Sequence, residues 1–97
     1  MTVRETIDAY LNELALSRSP ATVLTYASGL ASFQAYLKQA GIAATRQPIA
    51  RVTAFHLIDY PAWLKGEHFR RNPNAYTIGT YVAVISGWLR YLVREKV

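Results

Sequence analysis

The sequence contains no cysteine, only two histidines and only six acidic side chains among its 97 residues. The absence of cysteine excludes a disulfide scaffold, a cysteine-ligated zinc site, an iron–sulfur cluster and a thiol nucleophile. Since 52% of the residues are hydrophobic, a chain of this length can bury roughly 60–65% of its unfolded surface and fold without such crosslinks. We therefore expect one small globular domain.

Long apolar segments are also lacking. The longest apolar run covers only residues 81–85, and Arg4, Glu5 and Asp8 occupy the positions where a secretory signal needs an apolar stretch. A bilayer-spanning helix needs about 20 apolar residues. These absences predict a soluble, cytoplasmic protein with no membrane partner.

The few acidic residues are unevenly distributed. Residues 1–16 carry a net charge of −2, residues 17–58 carry +4 with no carboxylate at all, and residues 59–97 carry +3. A surface built from the middle segment would attract anions at long range, which makes nucleic acid the first partner to test. The charge alone leaves open the alternative of an ordinary basic, solvated face.

The first half of the chain predicts two helices. Thr2 and Glu5 have the spacing of a capping box at the start of the first helix. Its apolar stripe comprises Val3, Ile7, Tyr10, Leu11 and Leu14. Ser19 and Pro20 have the pattern of an N-cap followed by proline at the first helical position, and Gly41 can end the second helix in a left-handed conformation. Its stripe comprises Val23, Tyr26, Leu30, Phe33 and Leu37.

The second half predicts a loop and two more helices. Residues 42–52 lack any period and indicate a connection. Thr53 can begin a short third helix that ends at Gly66, with Pro61 as a kink or a restart. Its expected apolar residues are Phe55, Leu57, Ile58, Trp63 and Leu64. A final helix is expected over residues 75–94, with a stripe of Ile78, Tyr81, Val82, Ile85, Trp88, Leu89 and Leu92. No segment alternates as a strand does, so the prediction is an all-α, four-helix, single-domain protein.

The residues needed for catalysis are not grouped in the sequence. His56 and His68 are twelve positions apart and have no partner at a metal-ligand spacing, and the five glycines never cluster as a phosphate-binding loop. The tyrosines lie on or beside apolar stripes, where an aromatic residue is more often part of the core. We therefore predict no catalytic residue, no metal site and no cofactor in this chain.

Polar residues at two helix starts indicate binding instead. They are Ser19, Thr22, Thr25 and Ser28 on the second helix, and Asn74, Thr77 and Thr80 at the fourth. Hydroxyl groups beside unpaired backbone N–H groups suit phosphate oxygens. Arg18 precedes one start, and Arg70 and Arg71 precede the other. Each residue alone can equally be a cap or ordinary polar surface; together they favour DNA.

The second helix resembles a helix of a known family. Thr22, Tyr26, Leu30, Phe33 and Leu37 follow the spacing Thr-x3-Tyr-x3-Leu-x2-Phe-x3-Leu, which is similar to the N-terminal core-binding, or SAM-like, domain of tyrosine recombinases and phage integrases. Thr77, Ile78 and residues 85–96 resemble the last helix of that domain, nearest to the Xer-type enzymes. The resemblance covers nearly the whole chain and lies in the order and spacing of four helices.

The resemblance implies a compact, SAM-like orthogonal bundle that grips double-stranded DNA as one half of a C-shaped clamp. The strand-cleaving catalytic domain would follow Val97, so this chain alone would be no enzyme, and the parent enzyme would assemble as a tetramer on DNA. The isolated domain is expected to be a monomer. The DNA-facing candidates carried over by position are Ser19, Thr22, Thr25, Ser28, Tyr76, Thr77 and Thr80. Arg18, Arg70 and Arg71 are further candidates for DNA contact because of their positive charge.

Two features depart from the family pattern. Many relatives have basic residues after the helix-two tyrosine and in the middle of the last helix, where this chain has Ala27-Ser28 and Ser86-Gly87. Gly29, Gly79 and Gly87 also interrupt helices at a cost of about 1 kcal/mol each relative to alanine. Close approach of another helix, or of a DNA strand, would account for these glycines.

A different class of function remains an alternative. A small helical protein-interaction module without DNA binding would dock a partner helix on exposed aromatic residues such as Trp63, Phe69 or Tyr76. The dependence of binding on salt distinguishes the two hypotheses, since phosphate contacts weaken steeply with salt and apolar contacts do not.

Overall fold

The fold consists of four α-helices in a computed structural model that describes residues 1–66 and 75–97, with Ala75 and Tyr76 described in their backbone only. The helices are α1 (Val3–Ser17), α2 (Pro20–Gln39), α3 (Ala54–Lys65) and α4 (Ala75–Arg94). The described residues contain no β-strand, only an isolated bridge between Thr2 and Pro48. The all-α prediction is confirmed.

The helix ends follow the local signals in the sequence. The Thr2 hydroxyl accepts a hydrogen bond from the Glu5 backbone N–H at 3.1 Å, and the Glu5 carboxylate accepts one from the Thr2 N–H at 2.8 Å. The backbone hydrogen bond from Thr2 lowers the pKa of Glu5. Ser19 caps α2 by accepting from the Thr22 N–H at 3.2 Å. Gly41, just beyond α2, has a φ of +87°, the left-handed conformation that glycine adopts without strain.

The predicted bounds of α3 at Thr53 and Gly66 are confirmed, and the structure adds detail to the connection before it. A 3-10 turn, Ile49–Arg51, lies within the predicted connection. α3 ends before Gly66 and contains Pro61 without interruption. His56 has a structural role here, because its Nδ1 accepts a hydrogen bond from the Thr53 backbone N–H at 2.9 Å.

Every helix contributes to one hydrophobic core. The buried residues are Val3, Ile7, Tyr10, Leu14, Leu30, Phe33, Tyr36, Leu37, Ile42, Tyr60, Leu64, Val84, Ile85, Trp88 and Leu92. α1 and α2 form an antiparallel hairpin joined by Arg18 and Ser19, and α4 packs against both helices. Gly29 permits the close contact of α2 with α4, since a Cβ there would lie 3.1 Å from Val84 Cβ.

The prediction of which α3 residues form the buried face is partly wrong. Phe55 and Ile58 are 58% and 78% exposed, whereas Tyr60 and Leu64 are fully buried. Apolar residues lie around most of the circumference of α3, so the sequence pattern does not predict which side of this helix is buried. Tyr60 decides the orientation, because its hydroxyl donates to Ser32 Oγ at 2.8 Å and its ring packs edge-on against Phe33. Trp63, which the protein-interaction alternative requires to be exposed, is half-buried against Tyr60 and Tyr36.

None of the described helices combines the length and apolar character needed to span a membrane.

Candidate nucleic-acid interface

An open cleft of about 440 Å³ lies between the α1–α2 turn and the second half of α4. Three tyrosines, one from each helix, line it: the Tyr10 ring lies 6.2 Å from that of Tyr26 and 5.1 Å from that of Tyr91, measured between centroids. Gly87 makes room for this arrangement, since a Cβ at that position would lie 2.7 Å from the Tyr10 hydroxyl oxygen. The cleft therefore depends on the absence of a side chain from one turn of α4.

Local structure brings Arg18 to the rim of the cleft. The Arg18 backbone N–H donates to the Leu14 carbonyl at 2.8 Å and closes α1, and its extended backbone (φ −117°, ψ 156°) directs the chain into Ser19. The guanidinium group of Arg18 consequently belongs to the same cleft as Arg90 and Arg94 of α4.

The charges around the cleft do not balance. Among the residues with described positions, Glu13 is the only carboxylate that lines it, and Arg94 binds both Glu13 oxygens at 2.6 and 2.7 Å. This hydrogen bond raises the pKa of Arg94. In the described part of the chain, neither Arg18 nor Arg90 has a carboxylate within ion-pair distance. Two positive charges at the cleft are therefore available to an anion.

The Tyr10 hydroxyl is a further polar group at the cleft. Tyr10 is only 6% exposed, and within residues 1–66 and 75–97 its hydroxyl has no hydrogen-bond partner. Burial raises the pKa of Tyr10, while the nearby positive charges of Arg90 and Arg18 oppose that increase. The group is thus protonated at neutral pH and can donate a hydrogen bond.

The predicted polar residues of α2 extend away from the cleft along the start of that helix. Ser19 and Thr22 bond to each other through their hydroxyl oxygens at 3.0 Å, and the Thr25 hydroxyl donates to the Ala21 carbonyl at 3.2 Å. Ser28 is exposed. The structure therefore places these four residues on one polar, carboxylate-free stretch that begins at Arg18.

The structure does not bring the start of α4 to the cleft. Thr77 and Thr80 are half-buried in the first turns of α4, and Arg90 lies ten residues after Thr80, about 15 Å along the helix axis. Arg70 and Arg71 lie outside the described residues, as does the side chain of Tyr76. A contact of these residues with DNA stays a prediction.

Sequence reasoning missed Arg90 and Tyr10 as site residues. From the sequence, Arg90 counted only towards the net charge, although its four-residue spacing from Arg94 places both arginines on one face of α4. Tyr10 belongs to an apolar stripe, and nothing local distinguishes a core tyrosine from one whose hydroxyl reaches a cleft.

No group of three or more metal-ligating side chains occurs among the residues with described positions.

Comparison with protein families gives one match. Residues 7–96 match the family model described as phage integrase, N-terminal SAM-like domain, which is 90 of the 97 residues. No curated protein and no solved structure matches the chain.

Proposed function

Because the chain belongs to the family of phage integrase N-terminal SAM-like domains, we propose that it binds double-stranded DNA as one domain of a site-specific recombinase or integrase. The observation that carries this proposal is the unmatched charge of Arg18 and Arg90 at the cleft between the α1–α2 turn and the second half of α4. Glu13, the only carboxylate that the described part of the chain places at the cleft, is already paired with Arg94. A phosphate backbone is the polyanion that such a surface suits.

The composition of α2 supports the same proposal. This 20-residue helix contains no Asp or Glu, so it presents no negative charge to DNA. Its exposed Thr25 and Ser28 are short enough to let the helix approach a groove closely. Contacts from Arg18 would set the position of the domain on the duplex, and contacts from α2 side chains to base edges would carry sequence preference.

The proposal assigns strand cleavage to a different part of a longer parent enzyme. In this proposed parent enzyme, residues 1–97 form a single core-binding domain that grips a recombination half-site, and a catalytic domain after Val97 cleaves and rejoins DNA. The parent, of Xer-like type, acts as a tetramer on DNA in the cytoplasm, whereas the isolated domain is a monomer. The chain by itself catalyses nothing.

A duplex DNA titration at several salt concentrations tests the proposal. We expect affinity to fall steeply with salt, with a log–log slope of roughly −0.9 for each phosphate contact. The variant Arg18→Ala should bind all sequences more weakly and reduce the slope by about one contact.

A matched control is available in Arg46→Ala. Arg46 is exposed, and its loop joins the opposite end of α1, where the Arg4 N–H donates to the Ala44 carbonyl at 2.9 Å. The length of α1 separates this loop from Arg18 by about 20 Å. Binding that does not respond to salt, or an equal effect of both variants, would contradict the proposal.

One observation favours the alternative of a protein-interaction module. Phe55, Ile58 and Ala62 form an exposed apolar face on α3 with Asp59 beside it. A partner docked there would bind almost independently of salt and would be lost in Ile58→Asp. DNA binding that survives Ile58→Asp but weakens in Arg18→Ala would exclude this alternative for the DNA-bound state.

A further inference from the structure

We propose that the cleft between α1, α2 and α4 is a phosphate site, in which the Tyr10 hydroxyl and the guanidinium groups of Arg18 and Arg90 together bind one phosphodiester of the DNA backbone. This inference rests on the proposed DNA-binding function and names the groups that would make one particular contact.

The first argument is the unpartnered hydroxyl of Tyr10. Tyr10 is only 6% exposed, and its hydroxyl belongs to the exposed part, since Trp88 Nε1 is the one fully buried, unpartnered side-chain polar atom among the described residues. Tyr36 and Tyr60 show the usual arrangement in this protein, since their hydroxyls donate to Asp59 at 2.9 Å and to Ser32 at 2.8 Å. The Tyr10 hydroxyl instead ends in an open cleft, where an external acceptor can reach it.

The second argument is the charge around that hydroxyl. The positive charges of Arg18 and Arg90 both act on Tyr10, and neither has a carboxylate partner among the described residues. Arg94 occupies both oxygens of Glu13, so that carboxylate does not compete for the two arginines. Two cations and one neutral donor, from α1, the α1–α2 turn and α4, are a set that suits an oxyanion.

The third argument concerns the source of the phosphate. The rings of Tyr26 and Tyr91 form apolar walls beside the donors, which suits a deoxyribose next to a phosphate better than it suits free inorganic phosphate. The cleft also adjoins the carboxylate-free start of α2. A duplex lying along α2 would therefore bring its backbone to the opening.

The test compares Arg90→Gln and Tyr10→Phe with the wild type in duplex DNA titrations over a range of salt concentrations. Arg90→Gln should lower affinity on the order of tenfold and reduce the salt slope by about one contact. Tyr10→Phe should lower affinity roughly threefold to tenfold and leave the slope unchanged, because a neutral donor releases no counterion. Arg46→Gln, at the far end of α1, is the control and should bind as the wild type does.

The outcomes separate this site from the function. Wild-type DNA binding with unchanged affinity in both Tyr10→Phe and Arg90→Gln would overturn the phosphate site and leave the DNA-binding function intact. No binding of the wild type to any duplex would overturn both. Thermal unfolding of each variant shows that an altered affinity does not come from loss of the fold.

A nuclear magnetic resonance titration distinguishes the two sources of phosphate. Gly87 lies against the Tyr10 hydroxyl, and its amide signal should shift saturably on addition of a short duplex. A saturable shift with inorganic phosphate and none with the duplex would overturn the assignment to the DNA backbone.

Discussion

At the scale of single residues, two glycines on different helices have opposite environments. Gly29 is buried, and a Cβ added there would lie 3.1 Å from both Val84 Cβ and Val84 Cγ1. Val84 is β-branched, has little freedom to rotate, and is only 2% exposed. Gly79 is exposed, and apart from its chain neighbours and the adjacent backbone of α4 no described atom lies within 4 Å of the corresponding Cβ position. Close packing of α2 against α4 therefore explains why position 29 is a glycine, but it does not explain the glycine at position 79.

This difference predicts opposite effects of the same substitution. Gly29→Ala should lower the free energy of unfolding by about 1–2 kcal/mol, because overpacking outweighs the gain in helix propensity. Gly79→Ala should raise it by up to about 1 kcal/mol, because only the gain in propensity remains. Urea unfolding of both variants measures the effect.

The double variant Gly29→Ala/Val84→Ala provides the control. Removing the two Val84 methyl groups removes two of the three close contacts of the new Cβ and leaves only Val84 Cβ, so the two substitutions should interact favourably rather than add. A Gly29→Ala variant more stable than the wild type would show that α2 and α4 can separate without loss.

At the scale of elements, the start of α2 serves both the fold and the proposed interface. Ser19→Ala removes the hydrogen bond to the Thr22 N–H and should cost about 1 kcal/mol of stability in thermal or urea unfolding. Ser19→Asp keeps an oxygen acceptor at the cap and should preserve stability, aided by the helix dipole. The added negative charge beside Arg18 should nevertheless weaken DNA binding. If Ser19→Asp binds DNA as tightly as the wild type, the start of α2 is not in contact with phosphate.

The contact between α2 and α3 depends on two tyrosine hydroxyls and should be sensitive to alkaline pH. Burial raises the pKa of both Tyr36 and Tyr60 to about 12, and for Tyr36 the hydrogen bond to Asp59 adds to the increase. An unfolded tyrosine loses its proton near pH 10. Above that pH the unfolded state holds fewer protons than the folded state, so stability falls as the pH rises towards about 12.

Urea unfolding at intervals from pH 8 to pH 12 measures this decline. Stability should be unaffected by these groups below about pH 10, because both states are then protonated. Tyr60→Phe should be less stable at neutral pH through loss of the Ser32 hydrogen bond, by about 1 kcal/mol, and should show a shallower decline. An identical slope in Tyr60→Phe and the wild type would contradict the assignment.

At the scale of the whole molecule, the sequence contained most of the fold because its signals are local. Thr2, Ser19 and Gly41 each act within four residues of a helix end, and their predicted roles are confirmed. The family pattern of α2 is local in the same sense. α3 shows where such signals fail: its apolar residues surround the helix, so the choice between burying Ile58 and burying Tyr60 depended on partners from α2.

Less of the candidate site than of the fold could be predicted from the sequence. The polar residues of α2 and Arg18 could be named because helix starts have recognisable chemistry. Arg90 and Tyr10 could not, since their importance comes from their distance to Arg18, which lies on another part of the chain. The sequence also grouped the starts of α2 and α4, whereas the described contacts place Tyr26 of α2 beside Gly87 in the second half of α4.

The sequence by itself determined the class of the fold, the boundaries of its helices, the absence of thiol chemistry and the position of the carboxylate-free segment. These properties follow from composition and from interactions between residues close together in the chain. Only the tertiary structure decided which charges remain unmatched and which hydroxyl faces a cleft. The reason is physical: the pairing of Glu13 with Arg94 joins residues 81 positions apart, and it leaves Arg18 and Arg90 available because of how α1 and α4 pack.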